Sequence, residues 1–279
     1  MSGKRIVFCT LGSLGDLYPI LALAREMQRR GHSPAVATTP VYRRLVEAEN
    51  VEFHPVRPDL EADDPHILRR VMDRNTGGRY IIADLILPAL RDSYEDTAAA
   101  AANADLLVTH PLAFSALLFA RKIGMPWASL ALAPVSMYSV YDPSVLVGLP
   151  FAEWLASCGP MVQRGLLRTM AFLSEPMWKP FRKFEEELGL PPAPNPLFWG
   201  HSPQLALGCS RRSWRLPRGI GRPTHIAPVF PSSSIARETS RTSSVSSTLG
   251  SHPSCSRLAR RRSGSPAIFF SKAPRRHIS

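Results

Sequence analysis

The chain has 279 residues, room for one or two domains, and 44% of them are hydrophobic, enough for a substantial core. Its formal net charge of +12 is unevenly spread: residues 209–279 hold 13 Arg, one Lys and a single acid, Glu238, whereas residues 1–208 hold 20 basic and 21 acidic side chains. The body is therefore neutral, which argues against a nucleic-acid-binding body and confines the basic character to the tail.

Cys9, Cys158, Cys209 and Cys255 lie far apart, without a CxxC pair or zinc-like histidine spacing, so the sequence implies free thiols and a reducing, cytoplasmic setting. After Lys4 and Arg5 the apolar run Ile6-Val7-Phe8-Cys9 is too short for a signal peptide. The apolar stretches around 106–120 and 125–141 contain His110, Pro111, Pro126 and Pro134, which fits buried strands and helices better than a membrane span.

In chain order, "KRIVFCT" predicts a buried parallel strand and "PILALAREMQRRG" a helix that stops at Gly31. "SPAVATT" predicts a second strand, "VYRRLVEAEN" a helix, and "VEFHPV" a third strand. A helical region over 66–102 should break near Gly77-Gly78 and kink at Pro88. "ADLLVTH", "PLAFSALLFARKIG" and "MPWASLALAP" read as strand, helix and strand. A loop follows over 135–150, then a short helix "FAEWLASCG", then helical segments over 161–190 broken at Pro176 and Pro180. "PPAPNP" should be extended, and "QLALG" could supply a sixth strand. Strands alternating with helices imply a parallel sheet covered on both faces.

From Cys209 the composition changes to 17 Ser, 13 Arg and 7 Pro in the tail, which predicts disorder because so little apolar surface could be buried. A shifted reading frame near codon 208 would produce this composition from GC-rich DNA. A genuine basic tail that binds nucleic acid or anionic lipid is the alternative. Sparse aromatics and the lack of a fold motif favour the first.

The first strand runs into Gly12-Ser13-Leu14-Gly15-Asp16. A dinucleotide turn needs G-x-G-x-x-G and an acid after the second strand; here only G-x-x-G is present, and the second strand ends Ala37-Thr38-Thr39. An acid at position 16 would also repel a pyrophosphate at the helix N-terminus. The stretch "GSLGDLYPILALAREMQRRGHSPAVAT" resembles the opening motif of GT-B glycosyltransferases, specifically the family 28 N-terminal domain of sterol glucosyltransferases, antibiotic-aglycone glycosyltransferases and rhamnolipid-type rhamnosyltransferases. Gly12, Ser13, Gly15, Asp16, Pro19, Gly31 and His32 match it, and "ADLLVTHPLAFSALLFARKIGMPWASLALAP" is similar to the family's fourth strand, helix and fifth strand.

The resemblance implies an α/β fold, a Rossmann-like parallel sheet with helices on both faces, over residues 1–208, with 209–279 as the tail. It implies an inverting transfer from a nucleotide-sugar to a hydroxyl of a lipid-like or other apolar acceptor, with Asp16 as the general base and no metal or other cofactor. A carboxylate on a rigid turn suits that task, although from spacing alone Asp16 is equally a helix N-cap. Gly12 and Gly15 leave room for a substrate to approach the backbone. Ser13 could contact acceptor or donor, or only hydrogen-bond the turn. His110, at the end of the fourth strand, and Ser136, Met137, Tyr138 and Tyr141 in the loop after the fifth are candidates for the acceptor pocket. Trp154, Met161, Phe172, Met177 and Trp178 either extend that pocket or pack in the core. His32 reads as a helix-end cap.

In such enzymes a second domain holds the donor. The later histidines, His201, His225, His252 and His277, lack the glycine context of its diphosphate motif. The expectation is thus an acceptor-binding half, with donor binding and transfer dependent on a supplied C-terminal domain. The competing expectation is a non-catalytic α/β module that binds an apolar hydroxylated ligand. Neither calls for a specific nucleic acid or a transmembrane segment, and both are compatible with peripheral contact at a membrane face.

Overall fold

The computed structural model describes residues 3–60, 64–133, 136, 138–141, 151–211, 225–227 and 266–271. Six strands form a parallel sheet: β1 (Arg5–Cys9), β2 (Ser33–Thr38), β3 (Glu52–Pro55), β4 (Leu106–Thr109), β5 (Trp127–Ala131) and β6 (Ala206–Arg211), in the order β3-β2-β1-β4-β5-β6. Two short strands, β7 (His225–Ala227) and β8 (Pro266–Ser271), continue the sheet beyond β6 in antiparallel pairing. Within the expected tail, residues 209–211, 225–227 and 266–271 thus pair as strands, and the rest of it lies outside the described residues.

Along β1 the side chains alternate between two cores, as a strand's twofold period demands. Ile6 and Phe8 face an aliphatic layer with Leu17, Ile20, Leu21, Val36 and Val46; Val7 and Cys9 face a second layer with Leu107, Phe114, Leu118 and Trp178. The first layer is covered by α1 (Leu14–Arg29) and α2 (Arg43–Ala48), the second by α5 (Leu90–Ala100) and α6 (Phe114–Ile123). Between α2 and α5 lie α3 (Pro65–Val71), the single turn α4 (Gly77–Arg79) and a π-helical stretch, Tyr80–Ile86. The break therefore falls before Gly77, and Pro88 marks the junction to α5, as expected from both breakers.

Helix α1 begins at Leu14, five residues ahead of the apolar periodicity that starts at Pro19. The capping box formed by Ser13 and Asp16 fixes that start, and Pro19, in the second turn, forgoes only the backbone bond to Gly15. The helix ends where Gly31 takes a left-handed φ of +81°. There the Gly31 and His32 amides donate to Gln28 and Met27 carbonyls at 2.9 and 3.0 Å. His32 thus caps through its backbone, while its ring Nδ1 accepts from the Lys4 amide at 3.2 Å.

After β5 an arm of helices leaves and rejoins the body: α7 (Ala152–Ser157), α8 (Pro160–Ser174), a 3-10 turn over Glu175–Trp178, α9 (Lys179–Glu187) and α10 (Pro196–Trp199). The chain breaks at Pro176 as expected, but Pro180 sits in the first turn of α9, where its missing N–H costs nothing. The root of the arm is firmly seated. Trp178 and Phe181 pack edge-on against Phe114 with ring centroids 5.1 and 6.2 Å away, and burying each such ring contributes about 1.5–3 kcal/mol. Buried Glu185 pairs with Arg121 of α6 and, at 2.8 Å, with Arg182; Lys122 donates to the Leu188 carbonyl at 2.6 Å.

Candidate active site

In the order β3-β2-β1-β4-β5-β6 the direction of winding reverses between β1 and β4, and α/β sheets bind ligands in the crevice at that point, beyond the C-terminal strand ends. Cys9 lies in register with Thr109, and the His110 amide donates to the Cys9 carbonyl at 2.8 Å. The two loops that leave β1 and β4 are thereby held side by side. Asp16 comes from the first and His110 from the second.

The turn after β1 is built around the Asp16 carboxylate. Its Oδ2 accepts from the Ser13 amide at 2.8 Å and the Ser13 hydroxyl at 3.1 Å, while Ser13 Oγ accepts from the Gly15 amide at 3.2 Å. Ser13 is the N-cap, and Asp16 is the partner three residues on that reaches back to it. Asp16 is thus a capping group, though not at the N-cap position. Gly12 has φ +142°, and a Cβ there would lie 2.3 Å from Asp16 Oδ2. The space that glycine frees is filled by this protein's own carboxylate, and the Gly12 carbonyl accepts from the Tyr42 hydroxyl at 3.1 Å.

The other carboxylate oxygen faces the crevice. Asp16 Oδ1 is 3.5 Å from His110 Nε2, with the aspartate side chain 30% exposed and the histidine buried. The Leu112 amide donates to His110 Nδ1 at 3.3 Å, which in the neutral ring places the proton on Nε2, pointing at Asp16. Burial pushes the Asp16 pKa up, but the hydrogen bond and charge of His110, with the amide and hydroxyl of Ser13, outweigh it and hold the group below the ordinary aspartate value. At 3.5 Å the His110 contact is long for a hydrogen bond, so Ser13 has the firmer grip. Oδ1 keeps lone-pair capacity for a hydroxyl donor from solvent.

The loop after β5 leaves the same sheet edge. Ser136 donates to the Ala133 carbonyl at 2.7 Å and its own carbonyl accepts from His201 Nε2 at 2.7 Å; His201 Nδ1 is 3.1 Å from the Ser129 hydroxyl. His201 therefore clips this loop to β5, a role that no spacing in the sequence signals. Tyr138, at φ +45°, packs edge-on to Phe198 at 4.7 Å, and burial pushes its phenol up to about 12. Tyr141 is exposed and its amide donates to the Ser139 hydroxyl at 3.2 Å. Met137 lies outside the described residues. Ser136 and Tyr138 are thus tied to the β5–β6 connection, whereas Gly12, Ser13, Gly15, Asp16 and His110 form one cluster across β1 and β4.

Two further groups escaped sequence reasoning. The hydroxyls of Thr10 and Thr38 are buried at this sheet edge without a hydrogen-bond partner among the described residues. The aromatic candidates divide: Trp178 is in the core and Met177 packs against it, while Trp154, Met161 and Phe172 are exposed. Among the described residues no three His, Cys, Asp or Glu side chains converge to hold a metal ion.

A sterol 3-beta-glucosyltransferase of Neurospora crassa is 28% identical over 127 residues, 44% of this chain and 8% of the relative. One of Arabidopsis thaliana is 29% identical over 136 residues, 44% of this chain and 21% of the relative. The chain thus spans about a fifth or less of these curated relatives. Among solved structures, the glycotransferase of kitacinnamycin aligns over 69% of this chain and 42% of its own, with a TM-score of 0.44 and 20% identity. The calicheamicin glycosyltransferase CalG4 aligns over 66% and 45%, with a TM-score of 0.40 and 21% identity. The Glycosyltransferase family 28 N-terminal domain model matches residues 6–101, the span from β1 through α5 that carries the Asp16 turn.

Proposed function

We propose that the protein supplies the acceptor side of a nucleotide-sugar-dependent glycosyl transfer to a lipid-like alcohol, with Asp16 as the proton acceptor. The observation that carries the reading is the arrangement of Asp16 itself. One carboxylate oxygen is anchored by the Ser13 amide and hydroxyl, and the other is turned to the crevice between β1 and β4 beside His110.

The chemistry follows from that placement. The acceptor oxygen attacks the anomeric carbon, the bond from that carbon to the nucleoside diphosphate breaks, and the diphosphate leaves with the electron pair. Attack opposite the leaving group inverts the anomeric centre. The hydroxyl proton passes to Asp16 Oδ1. A carboxylate with a depressed pKa is a weak base towards a resting alcohol, but the hydroxyl becomes strongly acidic as its oxygen bonds to the sugar carbon, so transfer is favourable late in the step. His110 acts as a positioning residue, its Nε2–H orienting Oδ1. Because Asp16 must be ionised, the rate should fall as pH drops through its depressed pKa. No metal or other cofactor is called for.

The sterol substrates named for the relatives suggest a fused-ring or similarly apolar alcohol as acceptor. The test is sterol binding by the purified chain, together with transfer from UDP- and dTDP-sugars, alone and with a relative's donor-binding half added. Saturable sterol binding and sugar transfer are expected. Absence of both would overturn the reading.

A further inference from the structure

The two ends of the parallel sheet are protected in different ways. A strand at a sheet edge leaves a row of N–H and C=O groups unpaired, a template for pairing with another chain. Strand β3 guards itself. It is only Glu52-Phe53-His54-Pro55, with Glu52 ion-paired to Arg5 at 2.6 Å and Pro55 lacking an N–H. Strand β6 has none of these devices over most of its length: Ala206-Leu207-Gly208-Cys209-Ser210 contains no proline and no charge, and only Arg211 at its end is basic. It also outruns its parallel neighbour, since β5 is in register with Ala206, Leu207 and Gly208, and Cys209, Ser210 and Arg211 extend past it.

The chain covers this edge with its own tail. Strand β8 lies antiparallel to β6 in an unbroken register, from Ala206 opposite Ser271 to Arg211 opposite Pro266, and β7 pairs with Ile268, Phe269 and Phe270 on the far side of β8. An antiparallel edge strand is a common way to end an otherwise parallel sheet. The tail's composition singles out the same segment. Ala267-Ile268-Phe269-Phe270 is the longest unbroken apolar run in residues 209–279, and it stands between Arg260-Arg261-Arg262 on one side and Lys272, Arg275 and Arg276 on the other. Cations that flank an apolar strand discourage it from pairing between molecules, which leaves pairing within the chain. Strand β7 then closes the sheet: it is His225-Ile226-Ala227, bounded in sequence by Pro223-Thr224 and Pro228, too short to recruit a further strand. We propose that β8, backed by β7, is an edge guard, occupying a strand-accepting site on β6 that would otherwise pair with β6 of a second copy, antiparallel about a twofold axis. The proposal does not depend on Asp16 chemistry.

The test uses the full chain carrying Ile268→Pro and Phe269→Pro together. Backbone N–H groups alternate between the two sides of a strand, so consecutive prolines remove a donor towards each neighbour. In sedimentation the parent should be a monomer and the variant a dimer, because the β6 edge is then open to a second copy. A synthetic peptide of residues 264–273, added in excess, should occupy that edge and return the variant to monomer, whereas the same peptide with both prolines should not. Aggregation of a merely misfolded variant would not respond to the peptide, which keeps the two causes apart. A variant that stays monomeric would overturn the proposal. So would association that the peptide leaves in place, or a parent that already associates.

Discussion

The turn after β1 and the arm formed by α7 and α8 are both exceptions to simple burial, in opposite senses. The turn places a charge in a half-buried crevice and surrounds it with donors from Ser13 and His110. The arm leaves Met161, Phe172 and Leu173 largely exposed among the described residues. The lesson is that a polar group held by its neighbours, with one valence left open, is equipped for chemistry. An apolar group left bare is equipped for a partner.

The sharpest break of this contrast lies at the root of the arm. Replacing buried Glu185 with Ala removes the carboxylate that Arg121 and Arg182 share; Arg121 keeps the Pro191 carbonyl and Arg182 keeps Glu175, so the cost in urea unfolding should be about 3 kcal/mol, the low end for a broken buried pair. A loss within about 0.5 kcal/mol, the range of an ordinary surface change, would mean that the arm is not anchored where the ion pairs place it.

A smaller effect is expected at the turn. Gly12→Ala must force a Cβ into the position of Asp16 Oδ2 at an unfavourable φ, which should cost about 1–3 kcal/mol and swing the carboxylate out of the Ser13 grip. Thermal melting and a structure of the variant would check both. At the bare tip, by contrast, Phe172→Ala should change stability by no more than about 0.5 kcal/mol in the same assay.

Sequence legibility follows the same divide. The six parallel strands could be read because each is a short apolar run set between helices, and the Asp16 turn could be read because its residues are consecutive. His110 was identifiable only as the residue at a strand end, since its meeting with Asp16 depends on β1 and β4 being neighbours although α1 to α5 intervene. The start of α1 was misplaced because apolar periodicity begins at Pro19, whereas the Ser13–Asp16 cap sets the true start. In the arm, Trp178 and Phe172 look alike in sequence; only the seating of α9 against α6 decides that one is core and the other surface.

Two weaker effects concern the opposite, N-terminal edge of the sheet and the strand beneath the site. Glu52 is held down to about 2, chiefly by its hydrogen bond to Arg5, with burial opposing and His54 assisting. A depressed carboxylate stabilises the fold above its unfolded pKa and loses that contribution as pH falls towards its folded value, so unfolding measurements between about pH 4.5 and pH 2 should show a decline that Glu52→Gln flattens. The pair is partly exposed, and the effect should stay below about 1 kcal/mol. Burial pushes the Cys9 thiol up to about 12, so a thiol reagent at neutral pH should spare it in the folded protein and label it after denaturation.

The central claim, that the Asp16 carboxylate accepts the proton of an acceptor alcohol, is tested most directly by Asp16→Asn in an assay that transfers sugar from a nucleotide donor to a sterol. Asparagine can still accept from the Ser13 amide, so the turn should hold and sterol binding should be kept, while turnover falls by about 10²–10⁴. Turnover within about twofold of the parent, with folding intact, would contradict the account and leave Asp16 as a helix cap alone.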